Sequence, residues 1–104
     1  MEIDQIRLAV RAKNIQWQRH ALERMGQRGI QRDNVIDTII NGEVIQEYFT
    51  DRPFPSSLIL GWVKTMPLHV VVSYNAKLKT IYIITVYEPT LDHFEADYKT
   101  RRKT

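Results

Sequence analysis

The hydrophobic period of this chain changes once, near Gly42, and that single change limits the folds open to it. Before Gly42 apolar residues recur at intervals of three and four: Ile3, Ile6 and Val10, then Ala21, Leu22 and Met25, then Val35, Ile36, Ile39 and Ile40. Each set forms one apolar face of a helix. After Gly42 come runs rich in β-branched and aromatic residues, Val44 to Phe49, Ser57 to Val63, Leu68 to Tyr74 and Thr80 to Tyr87, which read as strands. Helices first and strands afterwards predict an α+β domain, with N-terminal helices packed on a four-stranded antiparallel sheet. At 104 residues there is material for one core, and two domains would each fall short of one. The expected unit is a single domain, 1–104, with its first helix in 1–14 and a basic tail at 99–104.

Local signals sharpen the outline. A first helix from about Glu2 to Lys13 places Arg7 and Arg11 on its outside, and Asn14 breaks its pattern. A second runs from about Arg19 to Arg28, closed by Gly29, which tolerates positive φ. A third begins near Arg32, with Asp33 suited to its first turn, and Gly42 is expected to close it in the same way as Gly29. The Asp51 to Pro55 stretch holds two prolines and reads as the longest connection. Lys64 to Pro67 and Asn75 to Lys79 are hairpin-sized, so the strands they join are antiparallel. The last three strands are nearly continuous apolar runs, which predicts cover on both faces, by helices on one and by the tail or a partner on the other.

Composition removes several classes. The absence of cysteine excludes disulfides, thiolate zinc sites and a cysteine nucleophile. No apolar run is long enough to span a bilayer, and the start, Met1-Glu2-Ile3-Asp4, lacks the features of a secretory signal; the expectation is a cytoplasmic protein without a membrane role. The net charge is +3 and the sequence pI about 9.3, a mild bias toward polyanionic partners. Its placement is more informative. Lys99, Arg101, Arg102 and Lys103 crowd the tail, and Arg19, Arg24, Arg28 and Arg32 crowd the second helical region.

Within that region His20, Arg24 and Arg28 are four residues apart, so each advances only about 40° around a helix. They form one stripe bordering the apolar face. Guanidinium groups bind phosphate bidentately, and a nearby imidazole exchanges a proton near neutral pH; the same spacing also describes a solvated basic face. His69 interrupts the apolar strand Leu68-His69-Val70-Val71-Val72, either as a hydrogen-bonded core histidine or as a site residue sharing a sheet face with Tyr87. If Tyr74 pairs with Thr80, His69 faces Thr85 and lies diagonal to Tyr87, and a one-residue change in the loop reverses the face. Tyr87-Glu88-Pro89 ends the last strand, where a hydroxyl can meet a phosphate or a base. Asp92, His93, Glu95 and Asp97 match no metal-ligand spacing, so neither a metal nor a cofactor is expected. A phosphate-binding glycine loop, a Gly-x-Ser-x-Gly elbow and a zinc-deaminase signature are all missing.

Taken together, His20-Ala21-Leu22-Glu23-Arg24-Met25-Gly26-Gln27-Arg28-Gly29-Ile30, Asn41-Gly42-Glu43-Val44-Ile45, Pro67-Leu68-His69-Val70-Val71-Val72 and Ile84-Thr85-Val86-Tyr87-Glu88-Pro89 resemble a bacterial family described as a domain of unknown function, number 4258. That family is placed beside the BrnT and RelE toxins. The resemblance runs from about Trp17 to Arg102 and leaves the first helix outside.

What the resemblance implies is a RelE/BrnT-like toxin fold and metal-independent RNA cleavage by attack of a ribose 2′-hydroxyl on the adjacent phosphate. The protein partner it implies is a cognate antitoxin, of the zinc-containing MqsA-like kind. Carried over by position, the catalytic candidates are His20, Arg24, Arg28, His69 and Tyr87. His20 or His69 would exchange protons, the arginines would stabilise phosphate charge, and Tyr87 would orient or donate. Lys99, Arg101 and Arg102 would bind RNA non-specifically. Two other readings use the same residues differently: a non-catalytic RNA- or protein-binding module, and an interaction domain whose edge strand, Val44 to Phe49, pairs with a partner.

Overall fold

A computed structural model describes residues 2–103. Met1, the first residue of the predicted N-terminal segment, and Thr104, the last of the basic tail, lie outside the described residues. The chain runs through α1 (Glu2–Arg11), β1 (Ile15–Trp17), α2 (Arg19–Arg28), α3 (Arg32–Asn41), β2 (Glu43–Tyr48), β3 (Ser56–Val63), β4 (Met66–Asn75) and β5 (Thr80–Tyr87). Among the described residues no helix is long and apolar enough to cross a membrane.

The sheet has five strands in the order β1-β5-β4-β3-β2, so the four-stranded antiparallel expectation is corrected to a mixed sheet. The added strand pairs parallel to β5, Ile15 with Ile81 through Trp17 with Ile83. Three residues are too few to show a two-residue alternation, which is why this strand left no periodic signal. The remaining pairs are antiparallel, and β2 lies at the outer edge.

The helices lie on one face of the sheet. Ile6, Ala21, Met25, Val35 and Ile39 meet Ile59, Leu68, Val70, Val72, Ile81, Ile83 and Val86, nearly all without solvent exposure. Full burial of each aliphatic side chain contributes about 1.5–3 kcal/mol, making this layer the main source of stability. Gly29 closes α2 at φ 67° with its N–H on the Met25 carbonyl. Gly42 differs from expectation: it is extended (φ −78°, ψ −178°), because β2 begins at the next residue. A Cβ there would lie 2.3 Å from the Thr38 carbonyl oxygen and 2.5 Å from that of Leu60, so close backbone approach is what requires glycine. Arg7, expected on the outside of α1, instead donates from Nε to the Ile39 carbonyl (3.0 Å) and from Nη2 to the Gly42 carbonyl (2.9 Å). Its guanidinium satisfies carbonyls at the C-terminus of α3 that the helix itself leaves unpaired.

The C-terminal segment crosses the opposite face of the sheet. It is pinned by a Phe94–Arg101 bridge, by ion pairs Lys99–Glu43 (3.1 Å) and Arg102–Glu95 (2.9 Å), and by Tyr98 set edge-on to Trp62. Asp97 accepts the backbone N–H groups of Lys99 and Thr100, which holds its carboxyl below the usual carboxylate range. The tail therefore supplies the second cover that the apolar strands require.

Candidate functional site

A register detail places the central polar pair. From the β4–β5 turn outward the strands pair Asn75 with Thr80, Tyr74 with Ile81 and Val72 with Ile83; the next pair is Val71 with Thr85. Ile84 is thus an extra residue, a bulge. With uninterrupted pairing His69 would oppose Val86, and Tyr87 would turn toward the helices. The bulge reverses that parity, and His69 faces Tyr87 on the tail side of the sheet.

His69 is fully buried. Its Nε2 lies 2.7 Å from the Tyr98 carbonyl oxygen and its Nδ1 3.0 Å from the Tyr87 hydroxyl. Because a carbonyl only accepts, Nε2 carries the proton in the neutral ring and Nδ1 accepts from Tyr87. Phe94 stands edge-on to the imidazole at 4.8 Å between ring centres, and Tyr87 does so at 5.1 Å. Burial pushes the His69 pKa below its ordinary value against the raising effect of the Tyr98 carbonyl, with Arg101 adding to the depression. Burial raises that of Tyr87, aided by Tyr48 and opposed by Arg101. The pair is therefore a neutral imidazole and a protonated phenol near pH 7.

Tyr87 also borders a cleft of about 330 Å³ at the end of β5. Arg24 and Arg28 form one wall, and Glu88, Asp92 and His93 contribute polar groups. Both arginines are exposed and have no ion-pair partner among the described residues. They reach this position because α2 packs along β5 with Ala21 and Met25 buried, which leaves the four-spaced row beside the strand.

Of the predicted site residues, Arg24, Arg28 and Tyr87 share this cleft, whereas His69 touches Tyr87 from beneath and does not line it. His20 is exposed in the first turn of α2, outside the cleft lining. The tail cations are engaged in the fold: Lys99 and Arg102 in ion pairs, Arg101 over the Phe94 ring at 5.3 Å. His93 is the histidine among the described residues that lines the cleft; in the sequence it stands only as part of an acidic group with Asp92, Glu95 and Asp97. The available signal was its position four residues beyond Pro89, where the chain turns back after the last strand.

These groups can bind a phosphate through two guanidinium forks, place a phenol against it and exchange a proton through an imidazole. No curated protein and no solved structure matches the chain significantly. The family model described as "Domain of unknown function (DUF4258)" matches residues 17–88, more than half of the 104 residues and the whole stretch from the end of β1 through β5, and the chain belongs to that family.

Proposed function

We propose that this domain is the toxin of a toxin–antitoxin pair, with a RelE/BrnT-like fold, and that it cleaves RNA in the Arg24–Arg28–Tyr87 cleft without a metal. The observation that carries the proposal is the meeting of a phenol, an imidazole and two arginines without ion-pair partners among the described residues in one cleft of about 330 Å³. The 2′-oxygen attacks the adjacent phosphorus and the P–O5′ bond breaks, leaving a 2′,3′-cyclic phosphate and a 5′-hydroxyl. The 2′-hydroxyl proton passes to the Tyr87 oxygen as Tyr87 passes its own to Nδ1 of His69, and His93 protonates the departing O5′. Arg24 and Arg28 balance the extra negative charge on the phosphorane. His20 contacts a neighbouring phosphate, the tail residues Lys99, Arg101 and Arg102 add a non-specific attraction for the RNA backbone, and the antitoxin, MqsA-like with bound zinc, neutralises the protein by covering the cleft.

A specific observation favours a second reading, a non-catalytic binding module: both His69 nitrogens already hold structural partners. The two separate in one assay. RNA incubated with purified protein in EDTA is mapped for new 5′-hydroxyl and cyclic-phosphate ends. Tyr87→Phe is expected to abolish these ends while retaining RNA binding, and Arg24→Gln with Arg28→Gln to abolish the ends and weaken the binding. Binding by the native chain without new ends would favour the module and reject cleavage.

A further inference from the structure

The uncovered part of the tail-side sheet face holds a second cleft, of about 250 Å³, lined by Gln18, Pro53, Phe54, Ser73, Tyr82 and Ile84. Tyr82 projects from β5 opposite Ser73. Phe54, from the β2–β3 connection, lies parallel to it, with ring planes 1° apart and centres separated by 5.6 Å. Both rings are half-buried and Ile84 remains 37% exposed. The tail secures the other end of this face, around His69, Trp62 and Glu43. A parallel aromatic pair with an open flank accepts one more flat ring. At the rim stands Gln18, the N-cap of α2, whose side chain makes no capping bond; its amide is exposed and offers both a donor and an acceptor.

Two rulers relate this cleft to the arginine cleft. The Gln18 N–H donates to the Ile83 carbonyl at 3.2 Å, so α2 starts beside the aromatic pair and ends at Arg28 in the other cleft. Ten residues of helix span about 15 Å. Along β5, the five steps from Tyr82 to Tyr87 span about 17 Å. His20 and Arg24 occupy the interval on α2, exposed. An aromatic ledge, a basic row and an arginine cleft thus lie in sequence along one strand and one helix.

We infer that Phe54 and Tyr82 form a base-stacking subsite for single-stranded RNA, whose backbone follows His20 and Arg24 to the phosphate cleft at Arg28 and Tyr87. This rests on the RNA reading above and names its substrate class. A stacked strand advances about 3.4 Å per nucleotide and an unstacked one roughly twice that, so the interval holds roughly two to five nucleotides. A duplex cannot use the ledge, because its bases are already stacked on one another. Stacking accepts any base, so recognition at the ledge is of strandedness, with Gln18 the group placed to read a base edge.

The test is fluorescence anisotropy with a labelled six-nucleotide 2′-O-methyl RNA, which cannot be consumed by 2′-hydroxyl attack, alone and annealed to its complement. The native chain should bind the single strand more tightly than the duplex. Phe54→Leu and Tyr82→Leu should each weaken single-strand binding by about tenfold, the loss of one stacked base, with the dependence on salt unchanged. Tyr82→Phe, which keeps the ring, should bind within about twofold of the native chain. Phe54 lies in a connection and is only half-buried, so Phe54→Leu gives a folded variant even where Tyr82→Leu does not. Arg24→Gln with Arg28→Gln should reduce the slope of log affinity against log salt by about 1.4, two phosphate contacts on a single strand. Native-like affinity of Phe54→Leu, or equal binding of strand and duplex, overturns the stacking subsite and leaves the arginine cleft standing. Failure of the native chain to bind either RNA at low salt overturns the RNA reading and the subsite with it.

Discussion

Replacing His69 with alanine measures what the His69–Tyr87 pair contributes to the fold. The imidazole has no solvent exposure, donates to the Tyr98 carbonyl at 2.7 Å and accepts from Tyr87 at 3.0 Å. Each lost hydrogen bond costs about 1 kcal/mol, and more where its partner stays buried; both partners here are half-buried, which holds the cost near that figure. Deleting a ring of roughly 65 Å³ under Phe94 leaves a cavity costing about 24 cal/mol per Å³, or about 1.5 kcal/mol. The expected loss is about 3–4 kcal/mol, a large share of the roughly 5–15 kcal/mol available to such a domain. Urea denaturation should show a lower midpoint with an unchanged slope, and thermal unfolding should fall by about 15 °C. Because His69 is a tie between sheet and tail, the effect should also be local. The backbone N–H groups of Glu95 and Arg102, bonded to the Thr100 and His93 carbonyls, should exchange faster than those of Val70 and Val72. A loss below about 1 kcal/mol, or uniform exchange through tail and core, would refute a structural role for the imidazole.

Acidification tests the same group from another direction. The folded pKa of His69 is depressed, so the unfolded chain binds the extra proton first; stability should be full above about pH 6.5 and decline as the pH falls toward the folded value, by at most about 1.4 kcal/mol per pH unit. Urea midpoints across pH 7.5 to 5 should show that component, and His69→Ala should lack it. Gly61→Ala should destabilise by about 1–3 kcal/mol, since the new Cβ would sit 2.6–2.8 Å from the Thr38 side chain of α3 and force helix and sheet apart; calorimetry of the variant checks this. Thr38→Val should raise stability by about 1 kcal/mol in the same assay, because the Thr38 hydroxyl is buried with no hydrogen-bond partner among the described residues.

What the sequence revealed and what it withheld divide along the range of the interaction. Helix α2 is readable at both ends because its signals are local: an apolar set at Ala21, Leu22 and Met25, and Gly29 immediately after. The four long strands are legible for the same reason, and β2 as an edge follows from its weak alternation. Arg7 misleads because its partners, the Ile39 and Gly42 carbonyls, are 32 and 35 residues away; on a helical wheel it belongs outside. β1 is invisible because a three-residue strand is defined by the strand it joins. Gly42 shows that one residue type answers two demands, positive φ at one helix end and bare backbone approach at another. In the candidate cleft, the Arg24–Arg28 row was legible from helical spacing, whereas His93 and Phe94 acquire meaning only once the tail folds across the sheet.

The bulge at Ile84 decides how the polar residues divide their tasks. It puts Tyr87 on the face that the tail covers, where its hydroxyl bonds His69 and the residue also lines the arginine cleft. Tyr87, with Phe94 beside it, is therefore common to the buried tie and the open cleft. His69 substitutions alter the tail, and with it the position of His93 and the rear wall of the cleft, so lost activity in such variants would not identify His69 as a proton carrier. Tyr87→Phe is the more discriminating change: it keeps the ring and its contact with the imidazole, removes only the hydroxyl, and leaves Nε2 on the Tyr98 carbonyl. If chemistry occurs in this cleft, its loss should exceed what the modest destabilisation of Tyr87→Phe explains. If the pair is structural alone, activity and stability should decline together across both variants.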